Sequence, residues 1–352
     1  MKKILILILT IPFLAASCDT GGIFDFGGGT RGVFKSEDSG ETYNLSTKLI
    51  KKGDISSLSI NALGYDQSNP DILYAGTTSG IYKSEDGAKT WKYILAGITV
   101  SDLTVDRFDP SIIYASGLYG QNGKIIKSTD GGTSWVDIYT EPSKTNTVIS
   151  ITVSTVSAST VLAGLNNGEL VRSTDAGRSW QTTHDFADKV IEVKFGANAT
   201  AYALTAHKGL YKSNDLGMTW TELTNALITD SINSVSRGSS SVTAFYDVAL
   251  DLKQSGVLYL GTEQGLFRSV NDGKDWSFLS LPLKNAALRV SAITVNPSNS
   301  NNLYAAVVST VYKSVNGGLT WETRTLPTTT YVHTIVIDPL NTNIIYLGLR
   351  AQ

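Results

Sequence analysis

The chain has 352 residues, of which 41% are hydrophobic and 17% charged, and this balance excludes a mainly disordered protein. The formal net charge is −2 and no basic run occurs, so the sequence gives no reason to expect a nucleic-acid partner. Two Met, three His and one Cys leave little material for a metal site, and we expect neither a metal nor another cofactor.

The N-terminal segment predicts export. Lys2 and Lys3 precede an apolar stretch over residues 4–14, which is too short to span a bilayer comfortably and is typical of a secretory signal. Residues 14–18, LAASC, resemble a bacterial lipobox, although Leu usually stands one place nearer the Cys. The resemblance implies a signal peptide over residues 1–17, lipidation of Cys18, and an anchor in a bacterial membrane on its periplasmic or cell-surface side. The alternative is ordinary signal cleavage that leaves an unpaired thiol.

The segment that follows the cysteine is rich in glycine. Residues 19–30 read DTGGIFDFGGGT, which is typical of a flexible linker. We therefore expect residues 18–30 to tether a folded domain over residues 31–352.

That domain repeats one short segment seven times. The copies are GVFKSEDSGETY, GIYKSEDGAKTW, KIIKSTDGGTSW, ELVRSTDAGRSW, GLYKSNDLGMTW, GLFRSVNDGKDW and TVYKSVNGGLTW. All six Trp residues of the chain close a copy, and Tyr43 takes that place in the first. A period near 45 residues with short alternating strands is typical of the blades of a β-propeller, which have four strands each.

The two ends of the chain complete the count of blades. Each full unit reads strand a, a polar turn, strand b, a Gly-containing turn, strand c, the Ser-x-Asp box (the repeated turn) and strand d. The first copy lacks strands a and b, whereas the last stretch, HTIVIDPLNTNIIYLGLRAQ, has only those two. The sequence therefore predicts an all-β, seven-bladed propeller of four-stranded antiparallel blades. N-terminal strands c and d would join C-terminal strands a and b to close the ring.

The repeated pattern Ser-x-Asp-x-Gly-x-Thr-Trp resembles the Asp-box, or bacterial neuraminidase repeat. The longer unit is similar to repeats of sortilin-type, xyloglucanase-type and photosystem II assembly propellers, a resemblance that is specific for the blade and not for function. Asn replaces Asp in two copies, and Asn still forms the turn but does not ionise, so we expect a structural role. In the second copy Ala88 stands where the others have Gly, and we expect its neighbour Gly87 to take the strain. The box residues are Ser36, Asp38, Ser84, Asp86, Ser128, Asp130, Ser173, Asp175, Ser213, Asp215, Ser269, Asn271, Ser314 and Asn316.

The face opposite the boxes is the candidate ligand face. Alignment of the innermost strands places Ala62, Asp102, Ser150, Glu192, Asp247, Ala292 and Thr334 in one column. Its three carboxylates would approach the axial channel, as ligands for a cation, a basic side chain or sugar hydroxyls, or simply as hydrated channel lining. The connection over residues 225–243 is a candidate lid or partner loop, or a tolerated insertion. Further polar and aromatic candidates on this face are Tyr119, Tyr246, Tyr331, His207, Lys208, Glu263, Arg289 and His333.

These features favour a non-catalytic binding or assembly module, exported and anchored by lipid, with a protein or glycan partner. We expect a monomer. A sialidase is excluded because no triad of arginines lies on the inner strands. The alternative is a glycoside hydrolase of xyloglucanase type. Such enzymes use one carboxylate from each of two propellers. The chain encodes one propeller, and Thr77 and Thr78 stand where their inner motif carries Asp.

Overall fold

The computed structural model describes residues 29–225, 227, 241–282 and 289–351. The predicted signal peptide, Cys18, almost all of the predicted tether and most of the 225–243 connection lie outside the described residues. The strands are β1 (Gly32–Ser36), β2 (Asn44–Leu45), β3 (Ile60–Tyr65), β4 (Leu73–Thr77), β5 (Gly80–Ser84), β6 (Lys92–Ala96), β7 (Ile98–Val105), β8 (Ile113–Tyr119), β9 (Asn122–Ser128), β10 (Val136–Lys144), β11 (Val148–Val153), β12 (Val161–Leu165), β13 (Glu169–Ser173), β14 (Gln181–Asp185), β15 (Val190–Phe195), β16 (Ala201–Thr205), β17 (Leu210–Ser213), β18 (Thr221–Glu222), β19 (Phe245–Leu250), β20 (Leu258–Thr262), β21 (Gly265–Ser269), β22 (Ser277–Leu279), β23 (Ala292–Asn296), β24 (Asn299–Val307), β25 (Thr310–Ser314), β26 (Glu322–Thr325), β27 (Tyr331–Ile337) and β28 (Ile345–Arg350).

The strands form seven antiparallel four-stranded sheets, and this confirms the predicted propeller. Blade 1 has the order β2-β1-β28-β27, and blades 2 to 7 each use four consecutive strands, beginning with β3–β6 and ending with β23–β26. The ring closes by pairing of β1 with β28, from Gly32 opposite Leu349 to Ser36 opposite Ile345. The two ends of the chain therefore share one sheet, as the sequence predicts. No helix within the described ranges has the length and hydrophobicity to cross a membrane.

The second strand of each blade is buried on both faces because it lies between neighbouring blades. Every residue of β4, β12, β16 and β20 is buried. A glycine in this strand permits the close approach: a Cβ atom on Gly164 would lie 2.3 Å from Cγ1 of Val190 in blade 5. The same position in blade 1, Gly348, faces Ile60 of blade 2 at 2.7 Å. The repeated YAG and YLG segments therefore encode contacts between blades.

Each Ser-x-Asp box is a compact hydrogen-bonded turn. In blade 2 the Ser84 hydroxyl donates to Asp86 Oδ1 at 2.8 Å and accepts the Ala88 amide at 2.9 Å. The Asp86 carboxylate accepts both the amide and the hydroxyl of Thr90, at 2.8 and 2.6 Å. All four hydrogen bonds lie within the same turn, so the carboxylate acts inside the loop that carries it.

The boxes also link each blade to the one before it. The Tyr74 hydroxyl of blade 2 donates to the carbonyl of Gly131 in the box of blade 3 at 3.2 Å. The Tyr114 hydroxyl of blade 3 reaches the carbonyl of Ala176 at 3.2 Å, and Lys127 donates to the same oxygen at 3.0 Å. The Lys127 ammonium lies 5.0 Å from the Tyr114 ring, a cation–π distance. In blades 2 and 3 the Tyr of strand b thus bonds the box of the next blade, and in blade 3 the Lys before the box adds a second bond to the same oxygen.

The turn geometry corrects one prediction. Gly87 has a φ of 68°, as expected, but Ala88 itself has a φ of 65°. In every box two consecutive residues have positive φ, as in the pair Gly131 and Gly132 at 67° and 89°. Ala88 therefore takes a left-handed conformation that costs a non-glycine residue about 1 kcal/mol or more. Its methyl group is fully buried in the cluster around Trp91.

The two copies with Asn keep the turn by reversing one hydrogen bond. In blade 6 the Asn271 amide nitrogen donates to Asp275 Oδ2 at 2.7 Å, where the Asp copies accept a hydroxyl from Ser or Thr. Asn271 Oδ1 still accepts the Asp275 amide at 2.9 Å. The donor and the acceptor have exchanged places, and the loop conformation does not depend on an ionised Asp.

This exchange predicts a charge-specific rescue. Changing Asn271 to Asp sets two carboxylates against each other and removes the donated hydrogen bond, which we expect to cost roughly 1 kcal/mol of unfolding free energy. The double variant with Asp275→Thr recreates the pattern of the other copies and should recover it. Urea unfolding of the four proteins measures the coupling, and additive effects of the two changes would contradict the exchange.

Candidate functional site

The innermost strands share a β-bulge that brings two consecutive side chains to the central channel. In β15, Val190 lies opposite Thr205 and Glu192 opposite Leu204, so Ile191 is the extra residue. The same shift precedes the column residue in β3, β7, β11, β19 and β27, but not in β23. Each extra residue lines the channel beside the column residue that follows it. These residues are Asn61, Ser101, Ile149, Ile191, Tyr246 and His333.

The predicted column lies in register. All seven of its residues pair with the same position of the second strand, for example Asp102 with Ser116, Asp247 with Gly261 and Ala292 with Ala306. Six of them line a central cavity of about 460 Å³. The cavity continues past Tyr65, Phe195, Leu252 and Pro297 toward the box face. The column carboxylates therefore lie inside the disc, between its two faces.

Each polar residue of the column in blades 3 to 6 accepts a backbone amide of the next blade. Asp102 accepts the Ile151 amide at 2.9 Å, and Glu192 accepts the Val248 amide at 3.1 Å. Ser150 and Asp247 accept the amides of Val193 and Ile293 in the same way. The acceptor always bonds the residue after the column position of its neighbour. Blades 7, 1 and 2 carry Ala292, Thr334 and Ala62 at this position. The column residues thus link blades 3 to 7 by hydrogen bonds along one side of the ring.

Asp102 has little capacity left for a ligand. Its carboxylate accepts the Ser150 hydroxyl at 2.8 Å and the Leu103 amide at 2.8 Å in addition to the Ile151 amide. Burial raises the pKa of Asp102, and these three donors oppose the rise. The arrangement favours a link between blades 3 and 4.

An ionic triad connects blades 5 and 6. Lys194 Nζ lies 2.5 Å from Glu192 Oε1, 3.5 Å from Asp247 Oδ1 and 2.6 Å from the Val248 carbonyl. Burial raises the pKa of Glu192 to about 8, the adjacent Lys194 opposes this, and Asp247 adds to it. The two carboxylates raise the pKa of Lys194 against the effect of its own burial. Lys194 was not among the predicted site residues, although residues two apart on a strand face the same side.

Three other predicted residues lie away from the channel, in turns between strands b and c. Tyr119 is half exposed at the end of β8, with Lys124 Nζ 5.0 Å from its ring. His207 Nδ1 lies 3.1 Å from Asp188 Oδ1. Glu263 accepts the Thr243 hydroxyl at 3.0 Å and the Ala244 amide at 2.9 Å, and so fixes the chain that enters β19. These residues share a face with the channel mouth but form no common cluster.

The channel mouth on this face carries aromatic and cationic side chains. The Arg289 guanidinium lies 4.2 Å from the Tyr246 ring and 5.4 Å from the Tyr331 ring. Burial lowers the pKa of His333 to about 4, and Arg350 and Arg289 contribute in the same direction. Among the described residues, no group of three or more His, Cys, Asp or Glu side chains could hold a metal ion.

The pKa of His333 predicts acid sensitivity. Because the folded-state pKa lies below the unfolded value of 6.5, the stabilising contribution is complete above pH 6.5 and is lost as the pH falls toward 4. We expect the melting temperature to fall more steeply over this range in the native protein than in His333→Gln. Thermal melts from pH 7 to pH 4 measure the difference, and parallel profiles would contradict the prediction.

Comparison with known proteins shows the fold and no family. No family model and no curated protein matches the chain. The chain is similar to the GH74 xyloglucanase from Xanthomonas campestris, with 18% identity and a TM-score of 0.67 over 83% of this chain and 51% of that one. It is also similar to YCF48 bound to D1 peptide, with 15% identity and a TM-score of 0.64 over 86% and 93% of the two chains. The RRP9 WD40 repeats give 8% identity and 0.61 over 83% and 95%. The chain thus spans about half the length of that xyloglucanase.

Proposed function

We propose that the protein is a non-catalytic binding module that presents the face opposite the Ser-x-Asp boxes to a protein or glycan partner. The observation that carries the proposal is the engagement of the channel carboxylates in bonds between blades. Asp102 accepts three donors, and Asp247 and Glu192 each combine a backbone amide with Lys194.

The same geometry disfavours glycoside hydrolysis. A retaining glycosidase needs two carboxyl groups about 5–5.5 Å apart and an inverting one about 6.5–9.5 Å, with the scissile bond between them. Glu192 and Asp247 contact the same ammonium group, Lys194 Nζ, at 2.5 and 3.5 Å. A cation therefore already occupies the position between these two carboxyl groups.

The structural neighbours are compatible with binding of either partner class. One of them is a xyloglucanase, whose name implies a glycan, and another is a YCF48 structure that contains a bound peptide. The proposal also includes the export and the lipidation of Cys18 that the sequence predicts. It assigns the boxes a structural role, because their carboxylates form hydrogen bonds within their own turns.

Hydrolysis assays on the full chain in detergent test the proposal. Xyloglucan and a panel of other β-glucans should show no turnover with the native protein, Asp102→Asn or Asp247→Asn. A glycan array and a pull-down from bacterial membranes would be run in parallel to detect binding. Turnover by the native protein that Asp247→Asn abolishes would overturn the proposal and establish the hydrolase instead.

A further inference from the structure

Three cationic side chains lie around the channel mouth on the face opposite the boxes. Arg289 packs over Tyr246 and Tyr331, and Tyr331 lies directly opposite Arg350 in the pairing of β27 with β28. Lys189 immediately precedes β15, where its carbonyl accepts the Ala206 amide at the same end of blade 5. All three residues keep part of their surface exposed, and they come from blades 1 and 5 and from the residues that enter blade 7.

The three cations influence one another electrostatically. Burial lowers the pKa of Lys189, and the charge of Arg350 lowers it further. Burial also lowers the pKa of Arg350, and the charge of Arg289 adds to this effect. None of the three takes part in the ion pairs that the described residues form. Gathering like charges without a counter-charge is unfavourable, so such a cluster is an electrostatic complement for an anion.

The neighbouring carboxylates form their hydrogen bonds and ion pairs with other groups of the protein. Glu263 accepts the backbone amides of Thr243 and Ala244, and Asp188 accepts those of His207 and Lys208. Asp247 is held by Lys194 and the Ile293 amide. These carboxylates therefore do not bond the three cations, whose donor groups remain open to a ligand.

We propose that Lys189, Arg289 and Arg350 form a binding site for a carboxylate of a polypeptide partner, either a chain terminus or an acidic side chain. The fork of an arginine matches a carboxylate in two parallel hydrogen bonds. A sugar ring binds propeller faces by stacking on open aromatic rings, but here the guanidinium of Arg289 already covers Tyr246 and approaches Tyr331. The inference rests on the proposed function, because it names the chemistry by which the same face selects a partner.

A paired peptide array tests the inference. Random twelve-residue peptides would be printed in two forms, one with Asp, Glu and a free C-terminal carboxylate, the other with Asn, Gln and a C-terminal amide. The same slides would carry oligogalacturonate as an acidic glycan. The full chain in detergent should bind the carboxylate form preferentially, and Arg289→Gln or Arg350→Gln should weaken that binding about tenfold or more.

The matched control is Arg107→Gln, which removes one exposed arginine from the turn between β7 and β8 on the box face. It changes the net charge by the same amount and should leave peptide binding unaltered. Equal binding of both peptide forms, or equal losses in Arg289→Gln and Arg107→Gln, would overturn the inference. Binding that the Arg289 variant weakens only for oligogalacturonate would overturn the polypeptide assignment. Turnover of glucans in the separate hydrolysis assay would instead refute the proposed function.

Discussion

Replacing Trp91 by alanine should lower the free energy of unfolding by about 3–5 kcal/mol, the range observed for large aromatic truncations in protein cores. Trp91 is fully buried, and its indole nitrogen donates to the Ser46 carbonyl at 2.8 Å. Its backbone also bonds Lys48 and Ile50, so the segment from blade 1 to blade 2 runs along the outer edge of blade 2. The variant therefore loses core packing and the anchor of the segment that follows the closing strands.

Trp180→Ala is the matched control, because Trp180 closes the box of blade 4 in the same position. Trp180 is only partly buried, and its indole nitrogen donates to Gly177 within its own box at 3.2 Å. We expect a smaller loss, about half as large, in proportion to the smaller area removed from contact. Urea unfolding followed by circular dichroism measures both variants. Equal losses would show that the additional contacts of Trp91 do not contribute.

The ionic triad should respond strongly to loss of its cation. Lys194→Met leaves Glu192 and Asp247 without the charge that holds them together, and breaking a buried ion pair typically costs about 3–5 kcal/mol. We expect about 2–3 kcal/mol at pH 8, because the Lys194 side chain is 36% exposed to the channel and water screens part of the interaction. The methionine keeps most of the aliphatic volume, so the loss reports on charge.

The pKa of Glu192 determines how the stability of the Lys194→Met variant changes with pH. Burial raises the folded-state pKa of Glu192, so the associated stabilisation is complete below the unfolded pKa and is lost as the pH rises through the folded value. Without Lys194 that pKa rises further, and the variant should therefore lose more stability than the native protein between pH 6 and pH 9. Adding Glu192→Gln removes the second ionisable group and should recover most of the loss. A Lys194→Met protein with a native pH profile would contradict the assignment.

The repeat made most of the architecture predictable. Seven spaced boxes determined the number of blades, and the incomplete units at the two ends predicted the pairing of β1 with β28. The alignment of inner strands also predicted the column correctly, because strand periodicity preserves register across blades.

The contacts between blades could not be predicted from the sequence of a single strand. A bulge places Tyr246 and His333, which the sequence analysis assigned to the ligand face, on the channel wall. The column carboxylates were expected to be either ligands or hydrated channel lining, whereas Asp102, Glu192 and Asp247 accept amides from the next blade. Ala88 was expected to avoid positive φ, but the hydrogen bonds of the box and the burial of its methyl group impose that conformation.

The place at which the chain enters the disc has a consequence for its orientation. The Thr30 carbonyl accepts the hydroxyls of Thr328 and Thr330 in the connection that leads to β27, on the face that carries the channel mouth. A lipid on Cys18 would be separated from this point by 12 residues (30 minus 18), a span of at most about 40 Å when fully extended. Under the proposed lipidation, the linker would therefore join the disc on the side of its cationic mouth and not on the side of the boxes.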